Sequence, residues 1–237
     1  MNYTDVHIHM LWGVDDGAKT VEEAREMLEM AYTEGTRSIC LTPHYHPGYF
    51  GENRESSEKA FLELKEYAAV RYPELKLYLG NELRYSPGCV EWLNHGRCRT
   101  LNGTNHVLVD FSETAKKSLI INAAHQLLNA GYRPVIAHVE RYRDLGKDLR
   151  ADENLKACGA VLQIDAGSLF GEWGYYAKQK SRKLLDVRLA DLVCTDAHGV
   201  KGRTPTLSKA YEYVRKHCGD EYAEEVFCTN AQRLLEV

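Results

Sequence analysis

The sequence predicts a closed α/β barrel of seven parallel strands, and three observations carry that prediction. Seven short β-branched or apolar runs alternate with longer segments of helical periodicity, an order that calls for a parallel sheet joined by right-handed helical crossovers. Polar, metal-competent residues recur at the C-terminal ends of nearly all the runs: His7 and His9, His44, Glu82, Asp110, His138, then Asp196 and His198. An open sheet concentrates its ligand site at one switch point, whereas a barrel brings every strand's C-terminal end to one mouth. The third observation is size. A chain of 237 residues, 44% hydrophobic and without a low-complexity linker or Pro/Gly-rich boundary, reads as one domain spanning 1–237.

Taken in order, the first run is DVHIH (5–9), where period-two geometry puts Val6 and Ile8 on one face and His7 and His9 on the other, so both imidazoles reach one cation. Thr20 and Glu23 then form a capping box, Ala24, Met27, Leu28 and Ala31 repeat at helical spacing, and Gly35 is the stop. The second run, RSICLT (37–42), leads into the loop TPHYHPGYF (42–50), which sets His46, Tyr45, Tyr49 and Phe50 beside His44. Those aromatics either line a pocket for an aromatic substrate or pack the loop, and both readings stay open. LKLYLGNE (75–82) ends in Glu82 and HVLVDF (106–111) carries Asp110, followed by a helical KKSLIINAAHQLLNAG (116–131). PVIAHV (134–139) supplies His138, with Arg141 three residues on; AVLQIDA (160–166) follows, and DLVCTDAH (191–198) precedes Arg203. Arg141 and Arg203 fall just past the rim, where a guanidinium pairs two phosphate oxygens, unless they are ordinary surface ion-pair residues.

Composition narrows the functions. A net charge of -4 and a pI near 6.2 give no basic field for nucleic acid. No apolar run has transmembrane length and the N-terminus lacks the order of a signal peptide, so a cytoplasmic protein without membrane insertion is expected. Seven cysteines without a CxxC pair fit neither a disulfide framework nor a zinc ribbon, and Cys40 and Cys194 read as core thiols. No cysteine has an arginine six positions later, and neither GxxxxGK[ST] nor GxSxG occurs.

Imidazole mixed with carboxylate and no thiolate suits manganese, iron or zinc in a catalytic setting. The candidates exceed one coordination sphere, which two or three ions sharing bridging carboxylates would explain, giving a clamp for displacement at phosphorus. Against this, Glu82 reads as a solvated strand end and Asp196 as a cap in the DAHG turn.

The stretch DVHIHMLWGVDDGAKTVEEA resembles the opening of the polymerase and histidinol phosphatase (PHP) superfamily, most closely its bacterial tyrosine-protein phosphatases of capsule and exopolysaccharide loci. TPHYHPG, GNELRY, HVER, QIDAGSLFG and TDAHGVKGRTP follow in family order over about residues 5–207. The resemblance implies a distorted, TIM-like (β/α)7 barrel. It also implies a trinuclear centre, usually supported by Mn2+ with iron or zinc as alternatives, that hydrolyses phosphotyrosine with a metal-activated hydroxide. By the same resemblance the ligands fall on His7, His9, Asp16, His44, Glu82, His138, Asp196 and His198, with Asp16 preferred to Asp15, and the phosphate-binding arginines are Arg141 and Arg203. The implied partner is the tyrosine-rich tail of a bacterial tyrosine kinase that governs polysaccharide export.

Two departures stand out. Asp110 occupies a position where the family usually has glutamate, and LWG replaces the common LPG, which places Trp12 beside the mouth. A rim of Trp12, Tyr45, Tyr49 and Phe50 is expected to receive the substrate ring, and His44 or His198 to protonate the leaving oxygen. The rival readings are a small-molecule phosphomonoesterase of the histidinol-phosphatase type and a metal-binding regulatory module without hydrolysis. The oligomeric state is not legible.

Overall fold

A computed structural model describes residues 2–50 and 53–236. Among them the strands are β1 (Tyr3–Asp5), β2 (Thr36–Leu41), β3 (His44–Tyr45), β4 (Lys76–Leu79), β5 (Glu82–Arg84), β6 (His106–Asp110), β7 (Arg133–Ile136), β8 (Val161–Asp165) and β9 (Leu192–Cys194). The helices are α1 (Val21–Glu34), α2 (Arg54–Arg71), α3 (Cys89–Asn94), α4 (Lys117–Asn129), α5 (Arg150–Ala157), α6 (Gly174–Asp186), α7 (Ser208–Cys218), α8 (Asp220–Glu224) and α9 (Asn230–Leu235).

All the strand pairs are parallel, in the orders β1-β2-β4 and β3-β5-β6-β7-β8-β9. These are two stretches of one ring. The breaks between β2 and β3 and between β4 and β5 are two residues long, so each pair is one interrupted path. Pro43, in the first break, has no N–H for a ladder. Gly80, in the second, lies where a Cβ would meet the Leu101 side chain at 2.9 Å. The ring closes between its first and last members. Ile8 bridges Ala197 in parallel, the His9 N–H donates to the Ala197 carbonyl and the Asp196 N–H to the His7 carbonyl, both at 2.9 Å, and the Thr195 hydroxyl donates to Asp5 at 2.5 Å. The seven predicted runs thus become seven paths in sequence order. The first differs in detail: its ladder stops at Asp5, leaving a single bridge at Ile8, and Val6 and Ile8 pack in separate apolar clusters.

Period-two alternation sorts the side chains between interior and helical layer. Val107, Val109, Ile136, Leu162, Ile164 and Val193 belong to the layer shared with α4 and α7, while Leu108, Val135, Leu192, Cys40 and Cys194 fill the interior with Leu234 and Leu235 of α9. Each such buried leucine contributes about 1.5–3 kcal/mol. Toward the other end the same interior face carries Gln163, Asp165, Glu82 and Asp110. α1 shows how the helices are seated. Thr20 accepts from the Glu23 N–H at 3.2 Å and Gly35 closes the helix at φ 105°, but the Glu23 carboxylate reaches Lys19 N–H at 2.8 Å, one residue beyond the predicted box. Among the described residues no helix is long and apolar enough to cross a membrane.

Candidate metal centre

The strand ends and the turns just beyond them deliver nine ligand-type side chains to one mouth. His7 and His9 come from the irregular end of the first path, His44 from β3, Glu82 from β5 and Asp110 from the last residue of β6. Asp16 arrives from the turn before α1, which folds back so tightly that a Cβ on Gly17 would stand 2.1 Å from the His9 carbonyl oxygen. His138 and Asp196 follow β7 and β9 in left-handed backbone, at φ 35° and 50°. Such a conformation costs a non-glycine residue about 1–3 kcal/mol and persists only where its surroundings enforce it.

Glu82 is the hub. Its Oε1 lies 3.3 Å from His7 Nε2 and 3.1 Å from His138 Nε2, and its Oε2 lies 3.2 Å from His9 Nε2 and 2.8 Å from His44 Nδ1. Asp196 Oδ1 is 3.2 Å from His7 Nε2 and 3.5 Å from His9 Nε2. Asp16 Oδ1 stands 3.3 Å from Nε2 of both His44 and His198. Four overlapping groups result: His9, Asp16, His44 and His198; His7, His9 and Glu82; His7, His138 and Asp196; and Glu82, Asp110 and His138. Within each, one ligand atom per residue lies within 4.8 Å of the others. Four residues belong to two groups, the arrangement that neighbouring ions sharing ligands require.

The donor atoms fit divalent cations on their own evidence. Nε2 of His7, His9 and His198 and Oε2 of Glu82 are buried and, although packed against one another and against Asp16 and Asp196, make no well-aligned hydrogen bond among the described residues, a costly state for a polar atom that a bound cation would relieve. Their other nitrogens are held from behind. His7 Nδ1 donates to Gln163 Oε1 at 3.0 Å, His9 Nδ1 to Asp15 Oδ2 at 2.9 Å and His198 Nδ1 to the Asp196 carbonyl at 2.9 Å. With the proton on Nδ1, each Nε2 presents its lone pair to the mouth. Burial opposes charge on His7 and His44, yet the carboxylates outweigh it, Glu82 first for both, and lift them to about 9. Glu82 is held well below the usual carboxylate range: burial acts against this, and His7 and His44 overcome it. Asp110 goes the other way, pushed up by burial and by Glu82. To act as ligands, the His7 and His44 imidazoles would have to give up the protons that their raised pKa values hold.

Two guanidiniums stand beside this cluster. Arg141 Nη2 pairs with Asp165 and, at 2.6 Å, with Asp196 Oδ2; Arg203 Nη2 reaches the same Oδ2 at 2.5 Å and its Nε donates to the Asp196 carbonyl at 3.1 Å. Both lie over the ring of Trp173, at 3.4 and 5.0 Å from its centroid. The mouth is a cavity of about 320 Å³ whose walls include His44, Glu82, Asp110, His138 and the guanidiniums of Arg84, Arg141 and Arg203.

The structure therefore brings together His7, His9, Asp16, His44, Glu82, Asp110, His138, Asp196 and His198, with Arg141 and Arg203 alongside. Asp15 sits behind His9 and accepts the His44 N–H at 3.0 Å, so Asp16 is the aspartate that faces the cluster. The predicted aromatic rim is corrected. Tyr45 follows His44 in the same strand and so points to the opposite face, where it is buried edge-on against Trp92 at 5.5 Å. Trp12 packs against the apolar cluster of Ile8, Met10 and Leu11 and is absent from the cavity walls. Phe50 does stack on His44, at 5.5 Å and 13°, and the exposed Tyr49 stacks on His46 at 4.8 Å.

Sequence reasoning missed Gln163, Asp165, Tyr142, Arg84 and Trp173. Gln163 and Asp165 alternate as polar residues in the apolar AVLQIDA, a period-two signal that marks an inward polar face. Arg84, two residues after Glu82, pairs with Asp110 at 3.2 Å, and the Tyr142 hydroxyl donates to Asp110 Oδ1 at 3.2 Å. Nothing in the spacing around Trp173 marks it.

Comparison with known proteins gives a consistent picture. The family model described as "Capsular polysaccharide synthesis, CpsB/CapC" matches residues 3–236. Tyrosine-protein phosphatase CpsB of Streptococcus agalactiae serotype III (strain NEM316) is 32% identical, covering 98% of each chain. Tyrosine-protein phosphatase YwqE of Bacillus subtilis (strain 168) is 30% identical, covering 98% of this chain and 91% of its own. A solved structure from work on YwqE of Bacillus subtilis and CpsB of Streptococcus pneumoniae, described as metal-dependent tyrosine phosphatases, superposes with a TM-score of 0.87 at 31% identity, over 98% of this chain and 94% of the other.

Proposed function

Because the chain belongs to the CpsB/CapC family of capsular polysaccharide synthesis, we propose that it is a metal-dependent phosphomonoesterase that hydrolyses phosphotyrosine in proteins. The observation that carries this reading is the placement of a many-ligand N/O cluster, centred on Glu82, against two guanidiniums that share one oxygen of Asp196. The nine clustered side chains would hold the ions, manganese being the metal proposed on the hard, thiolate-free donor set. When bound there, divalent cations supply charge neutralisation and water activation for displacement at phosphorus.

This chain's own residues do the rest. Arg141 and Arg203 each present a planar fork to phosphate oxygens, held in place by Asp165, Asp196 and the Trp173 ring. Phe50, stacked on His44, offers the substrate ring an apolar neighbour at the rim. Of the clustered imidazoles, His44 or His198, both against Asp16, would hold a proton for the leaving phenolic oxygen only where it is not taken up as a ligand. The proposed physiological partner is the phosphotyrosine-bearing tail of a bacterial tyrosine kinase acting in polysaccharide export, a reading supported by the family's place in capsule synthesis.

The test is turnover by chelated protein reloaded with manganese, using matched phosphotyrosine and phosphoserine peptides and histidinol phosphate. The phosphotyrosine peptide is expected to be the best of the three and metal-free protein inactive. Full activity in rigorously metal-free protein would overturn the metal reading, and a preference for histidinol phosphate would reassign the substrate.

A further inference from the structure

Away from the mouth, a groove of about 540 Å³ runs along α6, between the segment that follows Arg141 and α7. Its walls carry Lys147, Arg182 and Lys183, with Tyr176 and Tyr213 between them, against one carboxylate, Asp186. This charge runs against the chain as a whole. The net charge is -4, yet the α6 sequence GYYAKQKSRKLLD holds four basic residues and one acidic one.

Lys180, beneath the groove, is paired with Asp152 in the interior at 3.1 Å. Lys147, Arg182 and Lys183 are different: among the described residues no carboxylate comes within ion-pairing distance of any of them. Their contacts are with neutral groups. Lys183 donates to the Lys147 carbonyl at 2.6 Å, Arg182 Nε to the Leu169 carbonyl at 3.1 Å, and Arg182 and Lys147 lie 4.8 and 5.6 Å from the ring centroids of Tyr213 and Tyr176. These contacts hold the cations in place without neutralising them, the condition for attracting an anionic partner.

Helix α6 links the groove to the mouth. Trp173, the ring under both arginines, immediately precedes α6, and one turn on the Tyr176 hydroxyl bonds the carbonyls of Arg143 and Gly146. From Trp173 to Lys183 the helix advances about 15 Å at 1.5 Å per residue. An extended peptide covers that span in about five residues at 3.3 Å each.

We propose that this groove is a second anchoring site for the substrate, taking carboxylate or phosphate side chains about four to six residues from the phosphotyrosine held at the mouth. The inference rests on the phosphotyrosine reading given above and adds the position and sign of the flanking charge. Lys147 and Lys183 would pair the anions, while Tyr176 and Tyr213 give the intervening chain an apolar floor.

The test compares two phosphotyrosine peptides, one with a pair of glutamates about five residues from the phosphotyrosine and one with glutamines there, together with a small aryl phosphate. Wild-type protein is expected to favour the acidic peptide about tenfold in kcat/KM, through KM, with the preference fading as salt rises. The double variant Lys147→Glu with Lys183→Glu alters exposed side chains only; it should lose the preference and keep the aryl phosphate rate. Equal kcat/KM for both peptides in wild type, or a preference that survives in the variant, overturns the proposal. So does binding to phosphatidylserine vesicles that the variant loses while its peptide preference is unmoved, which would assign the groove to a membrane. Aryl phosphate turnover tests the phosphatase reading by itself. Should it be absent, fluorescence anisotropy of the two peptides still decides the groove, supporting it if affinities differ in wild type alone and overturning it otherwise.

Discussion

Replacing Gln163 by leucine should weaken metal binding without touching a ligand. The amide oxygen of this wholly buried side chain accepts His7 Nδ1–H at 3.0 Å and the His138 backbone N–H at 2.8 Å, while its nitrogen donates to Asp165 at 2.9 Å. Leucine approximates the volume and removes all three bonds. The orphaned His138 N–H costs about 1–3 kcal/mol and the lost bond to the Asp165 carboxylate about as much again. A total near 3 kcal/mol lowers the melting temperature by about 6–12 °C for a chain of this size. His7 also loses the acceptor that fixes its tautomer, and loss of such a partner weakens metal affinity about 10–100-fold, or about 1.4–2.8 kcal/mol. Competition with a fluorescent chelator and scanning calorimetry read the two effects separately. A variant that binds manganese with wild-type affinity would refute the assignment of Gln163 as the residue that orients His7, whatever its melting temperature.

Trp173→Leu removes a cation–π contact worth about 0.5–2 kcal/mol, so inhibition by inorganic phosphate should weaken about 2–30-fold with metal content unchanged and Trp173→Phe restoring most of it; loss of metal instead would mean a general collapse of the mouth. Arg203→Ala is expected to retain metal and bind phosphate less well, and wild-type kinetics on both aryl phosphate and phosphopeptide would remove it from the site. Asp110→Glu should keep or raise activity and Asp110→Ala lower the occupancy of one metal position; identical metal content and rate in all three proteins would make Asp110 a strand-end residue only. His106, at the opposite end of β6, is lowered to about 4 by burial and by Arg133. The unfolded chain takes up that proton near 6.5 and the folded chain only near 4, so stability from this group is full above about 6.5 and declines as pH falls toward 4. Melting curves of His106→Gln should be flatter in that window, and an unchanged slope would place the acid sensitivity elsewhere.

The fold was legible because each of the seven runs is both apolar and short, and because polar residues at their ends break the pattern at one level of the barrel. The same alternation explains the error at Tyr45. Reading the loop 42–50 as a unit put both residues of the His44–Tyr45 pair at the rim, although neighbours in a strand face opposite ways. Trp12 failed for a related reason, since a position in sequence beside two site histidines says nothing about which side of the turn a ring takes. The metal-competent residues announced themselves by type. Gln163 and Tyr142 did not, because their role lies in what stands in front of them, and a glutamine or tyrosine in a strand or turn has many uses. Trp173 was invisible for want of any spacing that links it to Arg141, 32 positions away, or to Arg203, 30 positions away.

The seam between the first and last paths has a consequence for how the molecule is made. His7 and His9 leave the ribosome early, but Asp196 and His198, which complete their surroundings, lie 189 positions further on for the pair His7 and Asp196. At roughly 5–20 residues per second of synthesis, the opening histidines wait about 10–40 seconds for the seam at Ile8 and Ala197 to form. Contacts so distant in sequence are also slow to find one another once the chain is free. The centre is therefore completed only when the seam closes: a half-made chain already carries His7, His9, Asp16, His44, Glu82 and Asp110, but lacks the His138, Asp196 and His198 that complete their groups.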